Sequence, residues 1–210
     1  TVEPREEWLA AARHGIEFIE KHGFDANDDD GRMWFHVTRK GAPIRKRRYF
    51  FTETFGAIAF AACAKATGDA AMADRARELY ALARAGFADS VDAKFTDTRP
   101  SKGMGATMIS LVTAQDMRAC LGDDSFNADI DTCIAEIQRD FVKPELECVM
   151  ETVGPKGELL DHFDGRLLNP GHAIEGAWFI LNEARQRGND AALIELGCQM
   201  LEWMWARGWD

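Results

Sequence analysis

Residues 68–87 read GDAAMADRARELYALARAGF, and this stretch decides the fold. Gly68 is a stop signal for one helix, Asp69 caps the next, and apolar residues recur at helical spacing until Gly86-Phe87 closes the segment. Asn189-Asp190-Ala191-Ala192 echoes Gly68-Asp69-Ala70-Ala71. Pro4 to Phe24, Gly68 to Phe87 and Gly188 to Trp209 are each a helix of similar length ending in a glycine and an aromatic residue, and Ser125 to Phe141 is a more divergent copy. Phe24, Phe87, Phe141 and Trp209 thus recur at a spacing that fits one helical hairpin plus its loops. Such units cannot bury their apolar faces alone, so they stack into an open solenoid or close into a toroid.

Working outward, Pro4, Glu6 and Glu7 suit a helix N-terminus, and Trp8, Leu9, Ala12, Ile16 and Ile19 follow helical spacing, predicting a helix over 4–22. The same reasoning predicts helices over 52–67, 70–86, 104–121, 126–141, 170–187 and 190–206. Gly68, Gly122 and Gly188 stop helices, and Asp69 and Asn189 cap them. Met33–Thr38 and Leu146–Val153 read as extended segments leading into the turns 40–43 and 154–157, predicting small hairpins at one rim. The repeated helices are amphipathic and suit an outer ring. Phe55–Ala64 and Met104–Val112 are almost uncharged and suit an inner ring. That alternation favours a toroid, although composition alone allows either closure.

The chain has 210 residues, 46% of them hydrophobic, which is one domain's length with material for a sizeable core. A formal charge of -10 repels phosphate backbones and anionic lipid, so neither nucleic acid nor membrane is an expected partner; the short basic run 45–48 is too isolated to reverse that field. Five cysteines are odd in number and lack metal-ligand spacing, which points to reduced thiols and a cytoplasmic location. No apolar stretch has membrane-spanning length and no signal-peptide core is visible. The chain opens on Thr1-Val2-Glu3-Pro4-Arg5, already a helix lead-in, which suggests a missing beginning.

The strongest chemical signal is Asn169-Pro170-Gly171-His172-Ala173-Ile174-Glu175. Asn169 is an apt N-cap and Pro170 an apt first helical residue, which puts His172 in the first turn with Glu175 at i+3. The positive end of a helix favours a neutral, proton-accepting imidazole, and a carboxylate at i+3 would orient the ring and oppose that effect. The pair reads as a general base, or more plainly as a histidine satisfied by its neighbour at a helix start. In a second segment, Arg48-Tyr49-Phe50-Phe51-Thr52-Glu53, aromatics interleave with charge and could line a sugar pocket; a buried ion pair capping an inner helix is the alternative. The acidic run 25–31 fails as a calcium loop, since its glycine is one place late and its twelfth position is His36. Trp203 and Trp205 beside Met204 could stack on a ligand, but stripes of this kind are mostly core. No phosphate-cradling loop, serine elbow or cysteine-histidine motif is present.

Together, Phe35–Pro43, Arg48–Phe55 and above all Asn169–Phe179 resemble, in order and separation, the N-acylglucosamine 2-epimerase family, which includes the renin-binding proteins. The resemblance implies an all-α fold, an α/α toroid of six hairpins, of which residues 1–210 would be a partial-barrel domain with short rim β-hairpins. It implies a sugar 2-epimerase or isomerase acting on N-acylglucosamine-type or related monosaccharides. His172 and Glu175 would be catalytic, and Arg48, Glu53, Asn169 and Trp34 substrate-binding. The family's catalytic arginine would lie before Thr1, and its second histidine and a further glutamate beyond Asp210. Where cellobiose 2-epimerases resemble one another in an Asn and a His four apart, this chain has Met104 and Met108, which favours the acylglucosamine-type branch. No metal or redox cofactor is implied, and a nucleotide effector would be by analogy only. A half-toroid would leave apolar flanks, so a homodimer or a second chain completing the barrel is expected. The alternative from another class is a non-catalytic α-hairpin scaffold for protein binding.

Overall fold

The computed structural model describes residues 5–25, 30–46, 49–89 and 100–209. They form two compact units, the first made of residues up to 89 with Asp116–Ser125, the second of residues 100–115 and Phe126 onward.

In the first unit, α1 (Glu6–His22) buries only Ile16 of its apolar stripe, with Leu9 and Ile19 half-buried and Trp8 and Ala12 exposed. It is followed by the hairpin β1 (Trp34–Val37) and β2 (Pro43–Lys46), antiparallel, with Val37 opposite Pro43. The turn between them is closed by Thr38, whose Oγ1 accepts from Ala42 N at 2.9 Å, and by Gly41 at φ 85°, where a Cβ would stand 2.1 Å from the His22 ring. Next come α2 (Phe51–Thr67) and α3 (Ala70–Asp89), packed as a hairpin. Gly56 lets them meet, since a Cβ there would lie 3.1 Å from Leu79 and 2.6 Å from Met33 Sδ. Gly68 turns the chain at φ 73°, and Asp69 caps α3 by accepting from Ala71 N at 2.9 Å, so both signals act as read.

In the second unit, β3 (Lys102–Gly103) leads into α4 (Met104–Leu121), whose final residues belong to the first unit. Almost every position of α4 from Thr107 to Gln115 is buried, in keeping with its lack of charge. The helix expected over 126–141 is in three parts: a 3-10 turn at Asp124–Phe126, α5 (Asn127–Glu136), and a wide π-type turn at Ile137–Phe141. That turn holds Asp140, 1% exposed, which accepts from Lys102 and Arg139.

The strands that follow correct the predicted second hairpin. β4 (Val142–Lys143) pairs antiparallel with β5 (Cys148–Val149), while β6 (Thr152–Val153) pairs with distant β3, Gly103 opposite Thr152. Residues 146–153 are thus shared between two partners instead of folding forward over the turn at 154–157. A short helix absent from the sequence reading, α6 (Phe163–Arg166), precedes the hairpin of α7 (Pro170–Gln186) and α8 (Ala191–Arg207). Asn189, expected as the α8 cap, takes a left-handed conformation at φ 67°. Asp190 caps instead, accepting from Ala192 N and Leu193 N. The repeated helix-final aromatics do not share an environment: Phe141 is fully buried and Trp209 is 67% exposed.

Candidate functional site

Asn169 and Pro170 set the start of α7 as predicted, with Asn169 Oδ1 accepting from His172 N at 3.3 Å and Pro170 in the first turn. His172 stands in that turn with its side chain 44% exposed. Its Nδ1 lies 3.0 Å from Oε1 and 3.1 Å from Oε2 of Glu151. The expectation that Glu175 orients the ring is therefore corrected. Glu175 is exposed one turn along α7, and the carboxylate on the imidazole comes from the segment between β5 and β6. An i+3 spacing brings two side chains to one face but does not choose between a flexible exposed carboxylate and one already held by its backbone. Glu151 had a signal in the sequence, being the one acidic residue in the run Cys148-Val149-Met150-Glu151-Thr152-Val153.

Behind α7 the packing is apolar. Met104 and Met108 are 1% and 7% exposed, and a Cβ on Gly176 would come 2.6 Å from Met104 Cε. These two methionines are core, in agreement with their inability to do polar work on a sugar. A cavity of about 470 Å³ opens in the same unit among Leu146, Cys148, Met150, Leu160, Leu168 and Arg207. Met150 and Leu168 are the chain neighbours of Glu151 and Asn169, so the two segments that carry the pair also build its wall, although His172 does not line it. Burial pushes the Cys148 thiol above its ordinary range, which keeps it neutral.

The other expected residues belong to the first unit. Trp34 is half-buried in β1, with Lys46 Nζ 5.8 Å from its ring centroid. Glu53 has 0% exposure, and its Oε1 accepts from Arg32 Nε at 2.7 Å and from Met33 N at 2.9 Å. The buried ion-pair alternative is the one realised here, with Arg32 as partner. Arg32 also lies 3.7 Å from the Phe50 ring and donates to Tyr49 O at 3.0 Å. A carboxylate so enclosed reaches no sugar hydroxyl outside the unit's interior. Arg48 lies outside the described residues, as does most of the acidic run 25–31; Asp30 at its end is held by Lys46. Among the described residues no group of His, Cys, Asp and Glu has the arrangement of a metal site. All five cysteines are free, and no described helix is long and apolar enough to cross a membrane.

Helical hairpins joined by short strands define the fold class of this chain, which it shares with solved sugar epimerases and isomerases. The chain shares its fold with a cellobiose 2-epimerase from Bacillus thermoamylovorans B4167, at a TM-score of 0.79 and 17% identity over 95% of this chain and 55% of that one. A D-mannose isomerase matches at a TM-score of 0.75 and 15% identity over 98% and 56%. The sequence profile of the N-acylglucosamine 2-epimerase (GlcNAc 2-epimerase) family matches residues 1–210, and the chain belongs to that family. Among curated relatives, the N-acylglucosamine 2-epimerase of Bos taurus is 27% identical over 98% of this chain and 50% of its own length, and that of Homo sapiens 25% identical over 96% and 48%. The chain spans about half the length of the relatives it matches.

Proposed function

We propose that this chain carries one half-site of a sugar 2-epimerase or isomerase acting on N-acylglucosamine-type or related monosaccharides. The observation that carries the reading is His172, fixed in the first turn of α7 by the Asn169 cap, with a partly exposed ring, in a chain whose whole length matches an epimerase family. Such an imidazole can take the C2 proton of a ring-opened sugar. The C2–H bond breaks, its electron pair forms the C1–C2 double bond, and the carbonyl oxygen takes the charge as an enolate. Return of a proton to the opposite face gives the epimer and needs a second acid on that side, so His172 alone exchanges the proton without efficient inversion. Glu175, one turn along α7 from His172, stays in the proposal as a catalytic residue; Asn169 contributes through the backbone it caps. The reaction calls for no redox cofactor.

The test is solvent deuterium exchange at C2 of N-acetylmannosamine and of mannose. Exchange that disappears in His172→Ala is the expected result, and equal exchange in both proteins removes the reading. We propose further that residues 1–210 form part of one barrel domain, completed by a second copy or a second chain in the cytoplasm. Exposed Trp178, Trp205 and Trp209, at 60%, 56% and 67%, support such pairing, as free thiols support the compartment. Sedimentation as a monomer across concentration would argue against it.

A further inference from the structure

We infer that Glu151 is the positioning residue of this site, fixing the tautomer of His172 so that Nε2 is the atom that exchanges the proton; this rests on the acid/base reading of His172. Both carboxylate oxygens of Glu151 lie at hydrogen-bond distance from Nδ1, at 3.0 and 3.1 Å. An ionised carboxylate only accepts, so Nδ1 must carry the hydrogen of this contact, and a neutral ring then keeps its lone pair on Nε2. When Nε2 takes the C2 proton, the imidazolium that forms still holds its Nδ1–H on the carboxylate, where the new positive charge meets a negative one. On the return step Nε2 gives that proton up, and the Nδ1–H never moves.

The carboxylate has the rigidity this role requires. Glu151 O accepts from Met104 N at 2.9 Å at the start of α4, and the preceding Met150 N donates to Phe141 O at 2.9 Å. On its other side Thr152 pairs with Gly103, whose neighbour Lys102 is tied to Glu136 and Asp140. The backbone bearing Glu151 is thus held before and after the residue by elements distant in sequence, while the backbone bearing His172 is held by the Asn169 cap. Two side chains meeting from two fixed backbones leave the ring one orientation, the arrangement by which an outer carboxylate aims a working imidazole.

The experiment uses protein labelled with 15N at histidine, the His172 resonances being assigned by their loss in His172→Ala. At a pH where the ring is neutral, the wild-type spectrum is expected to carry the signature of the Nδ1–H tautomer, and Glu151→Ala to move it toward Nε2–H. In C2 exchange, Glu151→Ala is expected to lower kcat about 10²–10⁴-fold with KM little changed. Glu151→Gln, which keeps size and an acceptor oxygen but drops the charge, should fall between Ala and wild type and serves if the Ala variant does not fold. An unchanged tautomer in both variants, or exchange at the wild-type rate in both, overturns the inference. If the wild-type protein exchanges neither sugar, the acid/base reading of His172 fails. The tautomer measurement then still decides whether Glu151 sets the ring.

Discussion

Arg32 Nε donates to Glu53 Oε1 across 2.7 Å, joining the segment before β1 to the first turn of α2, with the two side chains 12% and 0% exposed. The other carboxylate oxygen, Oε2, is buried and makes no hydrogen bond among the described residues. The contact therefore pairs a charge that is wholly buried.

Arg32→Ala is expected to cost about 3–5 kcal/mol, because it strands a buried carboxylate. Adding Glu53→Gln should recover part of that loss, since the stranded charge is removed. Guanidinium unfolding curves of the single and double variants check this; a double variant as unstable as Arg32→Ala would mean that the charge is not the source of the cost.

Acid should weaken the second unit through Asp140. The hydrogen bond from Arg139, helped by Lys102 against the opposing cost of burial, holds this carboxyl at about 2, below its ordinary 3.8. A folded value below the unfolded one means that the stabilisation is fully present above about pH 4 and is lost as pH falls toward 2. Its size is roughly 2 kcal/mol. Melting temperature followed from pH 6 to pH 2 should fall less steeply in Asp140→Asn, which starts lower.

Two glycines in helices should respond in opposite ways to alanine. In α8, a Cβ on Gly197 would meet Leu181 Cγ at 2.6 Å and the Ala177 carbonyl at 3.2 Å, so Gly197→Ala forces α7 and α8 apart. Overpacking of about 1–3 kcal/mol outweighs roughly 1 kcal/mol of gained helix propensity, and the expected result is a net loss. Gly15 in α1 has nothing within 4 Å, and Gly15→Ala should stabilise by about 0.5–1 kcal/mol. Thermal unfolding of both variants checks the contrast.

Caps separate stability from chemistry. Asn169→Ala and Asp190→Ala each remove an N-cap oxygen and should each cost about 1 kcal/mol. Only the first releases the backbone of His172, so only Asn169→Ala should also slow C2 exchange. Equal exchange in the two variants would show that the α7 cap does not position the ring.

Much of this fold was legible because its signals are local. Among the described residues, helical spacing located α1, α2, α3, α4, α7 and α8 to within a few residues, and Gly68, Gly122 and Gly188 end helices in the left-handed conformation that glycine permits without strain. The cap of α8 is Asp190, one residue beyond the expected Asn189, since Asn and Asp are both good caps and the choice depends on which of them takes the left-handed turn. The break in the helix predicted over 126–141 follows from Asp140, which is buried where Lys102 and Arg139 receive it, and neither its burial nor its partner on β3 leaves a trace in local periodicity.

By itself the sequence determined that this protein is a set of helical hairpins and that His172 stands at a capped helix start, because hydrophobic period, caps and stops act within a few residues. Only the tertiary structure decided which carboxylate meets that histidine, which arginine neutralises Glu53, and which strand Thr152–Val153 joins. Each of those pairings links residues some 20 to 50 positions apart. Several candidates satisfy such a pairing equally well on paper, and only the packing of the intervening backbone selects one.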